Sequence, residues 1–95
     1  MASNFKILAH RTSDGLHLKL MGDFDGSSAH ELINTLKAHH GNVGKIFVHT
    51  STLTSIHPFG LDVFKKNCSI NGLRRGLTFT GKYEEIMTPS KSSLS

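Results

Sequence analysis

Apolar residues recur along the chain at two different spacings. The segment from Leu16 to Leu20 alternates strictly between leucine and polar residues, the pattern of a strand with one buried face. The preceding segment, Phe5 to Arg11, also reads as a strand. The Asp14-Gly15 pair between them favours a tight hairpin turn. The chain is therefore expected to open with a β-hairpin, broken after the second strand by the segment Gly22 to Gly26.

A helical spacing follows the hairpin. Four apolar residues fall at i, i+3, i+4 and i+7, which places them on one helix face. Ser28 with Glu31 has the spacing of a capping box, although Ser27 or Asp25 could serve as the cap instead. The helix is expected to end near His40. Its apolar positions are Ala29, Leu32, Ile33 and Leu36.

The centre of the chain combines a strand, a loop and a helix. Lys45 to His49 is a short apolar strand rich in β-branched and aromatic residues, and the Ser- and Thr-rich segment from Thr50 to Ile56 reads as a loop. A helix is predicted from Pro58 to Cys68, because proline suits the first helical position. A short strand (Leu77 to Thr80) and a helical turn (Tyr83 to Met87) complete the pattern.

These elements predict one α/β domain. The order β-β-α-β-α-β with a short C-terminal helical turn indicates a mixed four-stranded sheet with helices. The 95 residues suffice for one small core but not for a second domain. We assign the domain to residues 1–87 and expect residues 88–95, rich in Ser, to be a disordered tail.

The composition narrows the range of possible functions and locations. The formal charge of +4 raises the question of nucleic-acid binding. The basic residues are scattered along the chain and not interleaved with aromatic residues, so we expect no nucleic-acid partner. A single cysteine, Cys68, indicates a reducing compartment and a buried core position. No leader and no apolar run of membrane-spanning length is visible. We therefore expect a cytoplasmic location without membrane insertion.

Residues suited to catalysis are not arranged for it. The seven histidines form no His-Glu-x-x-His pattern, and no Cys-x-x-Cys pair accompanies them. Adjacent His39 and His40 would point in different directions on a helix. The histidines are therefore interpreted as surface residues. The sequence predicts neither catalysis, nor a metal site, nor a cofactor.

The element order together with three local motifs resembles the STAS domain, named for sulfate transporters and anti-sigma factor antagonists. Leu20 to Asp25 is similar to the motif that ends the family's second strand. The capped helix from Ser27 to His40 is the second motif. Ile46 to Leu61 is similar to the family's strand, loop and helix start. The resemblance covers about Phe5 to Gly81 and implies the α/β fold of anti-sigma factor antagonists.

One short segment departs from the family's motif in a way that changes the expected function. With Ile56 and Gly60 as anchors, the family's Asp-Ser-Ser/Thr becomes His57-Pro58-Phe59. The serine that antagonist proteins have at the second of these positions is phosphorylated by a partner kinase, which ends binding. Pro58 has no hydroxyl group and cannot be phosphorylated. The resemblance thus implies the family's interaction surface without its usual switch.

The helix start is the predicted partner-binding site. Phe59 would be either an exposed interface anchor or a residue folded back onto the core of its own loop. His57 could titrate near neutral pH or be an exposed residue without a role. Thr54 and Ser55 are alternative phosphorylation sites. The complete predicted site comprises His57, Pro58, Phe59 and Gly60, with Asp23 and Asp25 contributed by the first loop.

The function that follows is a non-enzymatic interaction module of the STAS type, which binds a regulatory protein such as an anti-sigma factor or serine kinase. An alternative is an accessory subunit that contacts the cytoplasmic ATPase of a lipid-transporting ABC system. A third reading is an antagonist phosphorylated at Thr54 or Ser55. An exposed sheet edge would also allow homodimerisation.

Overall fold

The computed structural model describes residues 4–39, 44–71 and 76–87. These residues form an α/β domain in which five strands and three helices follow one another in the chain. In order they are β1 (Lys6–Thr12), β2 (Gly15–Phe24), α1 (Gly26–His39), β3 (Ile46–His49), β4 (Leu53–Ile56), α2 (Pro58–Asn71), β5 (Leu77–Thr80) and α3 (Glu84–Met87). The predicted tail, residues 88–95, lies outside the described residues.

The sheet is mixed, as predicted. β1 pairs antiparallel with β2 through the expected hairpin, in which Thr12 lies opposite Gly15. β3 runs parallel to the first half of β2 and also to β5. β4 runs parallel to the second half of β2. The strand order is β1-β2-β3-β5, with β4 beside β2.

Within the described residues, the sheet has five strands rather than the four predicted from the sequence. The segment expected to be a loop contains β4, because β2 does not end at Leu20 but continues to Phe24. Gly22 takes a positive φ of 93° and lies where the register between β2 and β4 shifts. A glycine there allows an irregularity without ending the strand. The extended β2 then offers an edge with which residues 53–56 can pair.

Both long helices cover the same face of the sheet. The leucines of the alternating β2 segment point into this layer, as predicted, and meet the apolar face of α1. Phe64 of α2 is fully buried, and its ring packs edge-to-face against Phe24 at 6.0 Å and Phe79 at 5.6 Å between centroids. Cys68 is buried in this core, as expected. Aromatic pairs of this geometry add stability beyond the burial of their area.

Candidate functional site

Two parallel strands end side by side and both lead directly into helices. β2 ends at Phe24 and leads to α1, while β4 ends at Ile56 and leads to α2. The backbone N–H of His57 donates to the carbonyl oxygen of Phe24 at 2.9 Å, and the carbonyl oxygen of His57 accepts from Leu61 N–H at 3.1 Å. The starts of α1 and α2 are therefore fixed next to each other at one edge of the sheet, as the ends of parallel strands require.

Asp25 caps the first helix. Its carboxylate accepts hydrogen bonds from the backbone N–H of Ser28 at 2.9 Å and from the Ser28 hydroxyl at 3.0 Å. These bonds, and to a smaller extent the positive charge of His57, hold the pKa of Asp25 below its usual value. The Ser28–Glu31 capping box is therefore wrong, and the alternative cap, Asp25, is confirmed, since the helix begins at Gly26.

Gly60 holds the two helix starts in contact. It is buried, and a Cβ atom at this position would lie 2.7 Å from the carbonyl carbon of Asp25. No larger residue could occupy this site without moving the backbone. Gly60 therefore supports the predicted partner-binding site from beneath and does not form part of its surface.

Phe59 faces outward from the first turn of α2. Its side chain is 70% exposed, and the ring lies over Gly26, where an added Cβ would approach it to 2.8 Å. The ring is not folded onto the core of its own loop, which was one of the two alternatives. His57 and Pro58 are exposed beside it. Together these three residues form what we call the α2 entry surface.

The alternative phosphorylation sites differ in accessibility. The Ser55 hydroxyl is half-buried and donates to the carboxylate of Asp23 at 2.8 Å. Asp23 in turn donates its backbone N–H to the side-chain oxygen of Asn4 at 3.2 Å. The side chain of Thr54 is exposed. Asp23 is thus tied to β4 at the rim of the α2 entry surface, and Thr54 is the more accessible hydroxyl.

A pair of histidines on the opposite face of the sheet was missed at the sequence level. Nδ1 of His17 lies 2.8 Å from Nε2 of His49. The rings are nearly coplanar, at 2°, with centroids 5.0 Å apart, so they meet edge to edge rather than face to face. The alternation of β2 predicts that His17 faces away from the helices. Nothing in the sequence shows that β3 places His49 next to it.

One arrangement of protons satisfies all the hydrogen bonds around the pair. With the Thr12 hydroxyl donating to the carbonyl oxygen of Gly15 at 3.3 Å, Nε2 of His17 donates to Thr12, 3.2 Å away. Nδ1 of His17 then accepts from His49, whose Nδ1 accepts from Thr80 at 2.7 Å. Burial, followed by the positive charges of His17 and Lys19, lowers the pKa of His49. The neutral pair satisfies every ring nitrogen.

The described parts of the chain hold no group of three or more His, Cys, Asp or Glu side chains that could bind a metal ion. No helix among them is long and apolar enough to cross a membrane. The protein is thus a small α/β domain with an exposed aromatic residue, Phe59, at the start of a helix.

Solved structures with this fold include an anti-sigma factor antagonist. SpoIIAA in its unphosphorylated form is similar with a TM-score of 0.55 and 13% identity, over 79% of this chain and 70% of that one. A protein of the DUF3478 family with a SpoIIAA-like fold, from Shewanella loihica, has a TM-score of 0.61 and 13% identity, over 86% of this chain and 70% of that one. The expected fold is confirmed: the chain has the SpoIIAA-like α/β fold.

The same fold occurs within a larger protein. The structure of Mglu is similar with a TM-score of 0.66 and 12% identity over 79% of this chain, which spans only 19% of that protein. The sequence matches no family model and no curated protein. At identities this low the likeness establishes the fold and not the activity.

Proposed function

We propose that the protein is a non-enzymatic, STAS-type interaction module that binds a regulatory protein through the α2 entry surface. The observation that carries this proposal is the exposure of Phe59, at 70%, on a rigidly held helix start. Large aromatic side chains in such positions dominate the binding energy of protein interfaces. A water-exposed phenylalanine ring gains from burial against a partner.

The surroundings of Phe59 suit a preformed binding surface. The backbone on its two sides is fixed, since His57 hydrogen-bonds to β2 and Gly60 packs against Asp25. Little backbone entropy remains to be lost on binding. Asp23 and Asp25 lie at the rim, where their hydrogen bonds to Ser55 and Ser28 hold the carboxylates in place.

The partner class we propose is an anti-sigma factor or serine kinase. Support comes from the SpoIIAA-like fold and from the sequence resemblance to the STAS family, which matches His57-Pro58-Phe59 with the family's phosphorylated segment. On that resemblance, Pro58 corresponds to the modified serine. Because proline has no hydroxyl, binding at this surface is not ended by phosphorylation of residue 58.

The experiment that tests this function is affinity capture from the source organism with three baits. These are the wild type, Phe59→Ala, and Ile70→Ala as a matched control, since Ile70 is 75% exposed near the other end of the same helix. We expect wild type and Ile70→Ala to retain a kinase or anti-sigma factor that Phe59→Ala loses. Equal capture by all three baits would contradict the proposed surface. Capture of an ABC ATPase would overturn the proposed partner class.

A further inference from the structure

The outer edge of β1 carries no strand among the described residues. In the part of the chain that the structure describes, β1 pairs only with β2, and its seven residues form one border of the sheet. Neither long helix covers it, since five of its residues are exposed, among them Leu8 at 51%. Proteins usually protect an edge of this length, because its unpaired N–H and C=O groups bind further strands.

The hairpin determines which backbone groups are available on this edge. Thr12 and Gly15 flank a two-residue turn and close the ladder between β1 and β2. Hydrogen-bonded and non-bonded pairs alternate along an antiparallel ladder. With Thr12–Gly15 as a bonded pair, the N–H and C=O groups of Ile7, Ala9 and Arg11 point away from β2. The free hydrogen-bonding groups are therefore centred on Ala9.

A second copy of the same strand fits this edge in an antiparallel register centred on Ala9. Ala9 then faces Ala9 of the other copy across a two-fold axis, and Ile7 faces Arg11 in a hydrogen-bonded pair. Leu8 faces His10. Although the strand carries Lys6, His10 and Arg11, no two basic side chains lie directly opposite each other, which would be destabilising.

Neighbouring registers are less favourable. Centring the pair on Leu8 places Lys6 opposite His10, and centring it on His10 places two His10 side chains opposite each other. An antiparallel edge pair uses the same surface on both copies, which gives a closed dimer. We propose that the protein forms a two-fold symmetric homodimer in which the β1 edges pair about Ala9 and join the two sheets. The α2 entry surface is not part of this contact.

A charge swap at Ala9 tests both the dimer and its register. Mass is measured by multi-angle light scattering and sedimentation for wild type, Ala9→Lys and Ala9→Glu. We expect a wild-type dimer, and monomers for each variant alone, because like charges meet across the two-fold axis. An equimolar mixture of the two variants should recover the dimer, because the opposed charges are then complementary. Because Ala9 is exposed, both variants should fold without loss of core packing.

Thr78→Lys is the matched control, since Thr78 is exposed on β5 at the other border of the sheet. It adds the same charge and should remain dimeric. A monomeric wild type would overturn the proposal. So would dimers of Ala9→Lys alone, or a mixture of the two charge variants that stays monomeric. Dissociation by Thr78→Lys with intact Ala9→Lys dimers would assign the contact to the β5 edge instead.

Discussion

The shared hydrogen bond between His17 and His49 shows how single residues couple the fold to pH. One added proton can be accommodated on Nδ1 of His49, because the Thr80 hydroxyl can turn from donor to acceptor. A second proton would place two N–H groups opposite each other at 2.8 Å. Lys19 of β2 adds positive charge on the same face.

This arrangement predicts loss of stability in mild acid. The pKa of His49 is lowered in the folded state, so the unfolded chain binds the proton more readily. The contribution of neutral His49 to the free energy of unfolding is fully present above the pKa of the unfolded chain, about 6.5. It is lost as pH falls from there through the pKa of the folded state. Urea unfolding across this range should show a falling free energy of unfolding, and His49→Gln should flatten the curve. An unchanged slope in that variant would contradict the assignment, and His30→Gln serves as a control on an exposed histidine of α1.

Two glycines at the site should differ in how the same added methyl group affects stability. Gly60→Ala forces a Cβ against the backbone of Asp25 and should lower the free energy of unfolding by about 1–3 kcal/mol. Gly26→Ala meets only the ring of Phe59, which can swing aside. Its stability should be unchanged, while partner binding weakens because the ring is displaced. Chemical denaturation checks the first effect and a binding assay the second. Equal stability of both variants would contradict the described helix contact.

At the scale of elements, helix α2 begins with a proline at the position where the resemblance to STAS antagonists implies a phosphorylated serine. Pro58 is the first helical residue and needs no hydrogen-bond donor there. Pro58→Ser should therefore fold with nearly unchanged melting temperature and present an exposed hydroxyl. We expect the variant, but not the wild type, to be phosphorylated by the cognate kinase. No label at residue 58 of the variant, with that kinase supplied, would contradict the positional match; label on the wild type would instead indicate a site such as Thr54.

The elements that the sequence predicts correctly are those with a local signal. Alternation defines the core face of β2, helical spacing defines α1, and Pro58 marks the start of α2. The fourth strand lacked such a signal, since Leu53 to Ile56 has apolar residues only at its two ends and pairs because β2 continues past Gly22. The positive φ of Gly22 fits a bulge as well as a break. Only the paired partner decides between the two.

The features of the candidate site likewise divide into those that have a local sequence signal and those that do not. The exposed Phe59 and the cap at Asp25 follow from residues close in the chain, and both were among the sequence alternatives. The buried position of Gly60 depends on α1 crossing next to α2, and the His17–His49 contact depends on the register of two parallel strands. Contacts between distant segments of this kind have no counterpart in local spacing.

At the scale of the whole molecule, helices cover one face of the sheet, and the two proposed contacts use different residues. The α2 entry surface lies where β2 and β4 end, and the β1 edge forms a border of the sheet. The proposed dimer contact therefore does not use Phe59. In a two-fold dimer, both copies of the α2 entry surface would remain accessible, which allows two partner molecules to bind at once.

The measurement that tests the central claim most directly is the affinity of the purified partner for wild type, Phe59→Ala and Ile70→Ala, by isothermal titration calorimetry. An aromatic residue that anchors an interface contributes about 2 kcal/mol or more, so Phe59→Ala should weaken binding by roughly 30-fold or more. Ile70→Ala should bind as wild type does, and all three proteins should unfold at the same denaturant concentration. Equal affinities for wild type and Phe59→Ala would show that the partner binds elsewhere on the domain.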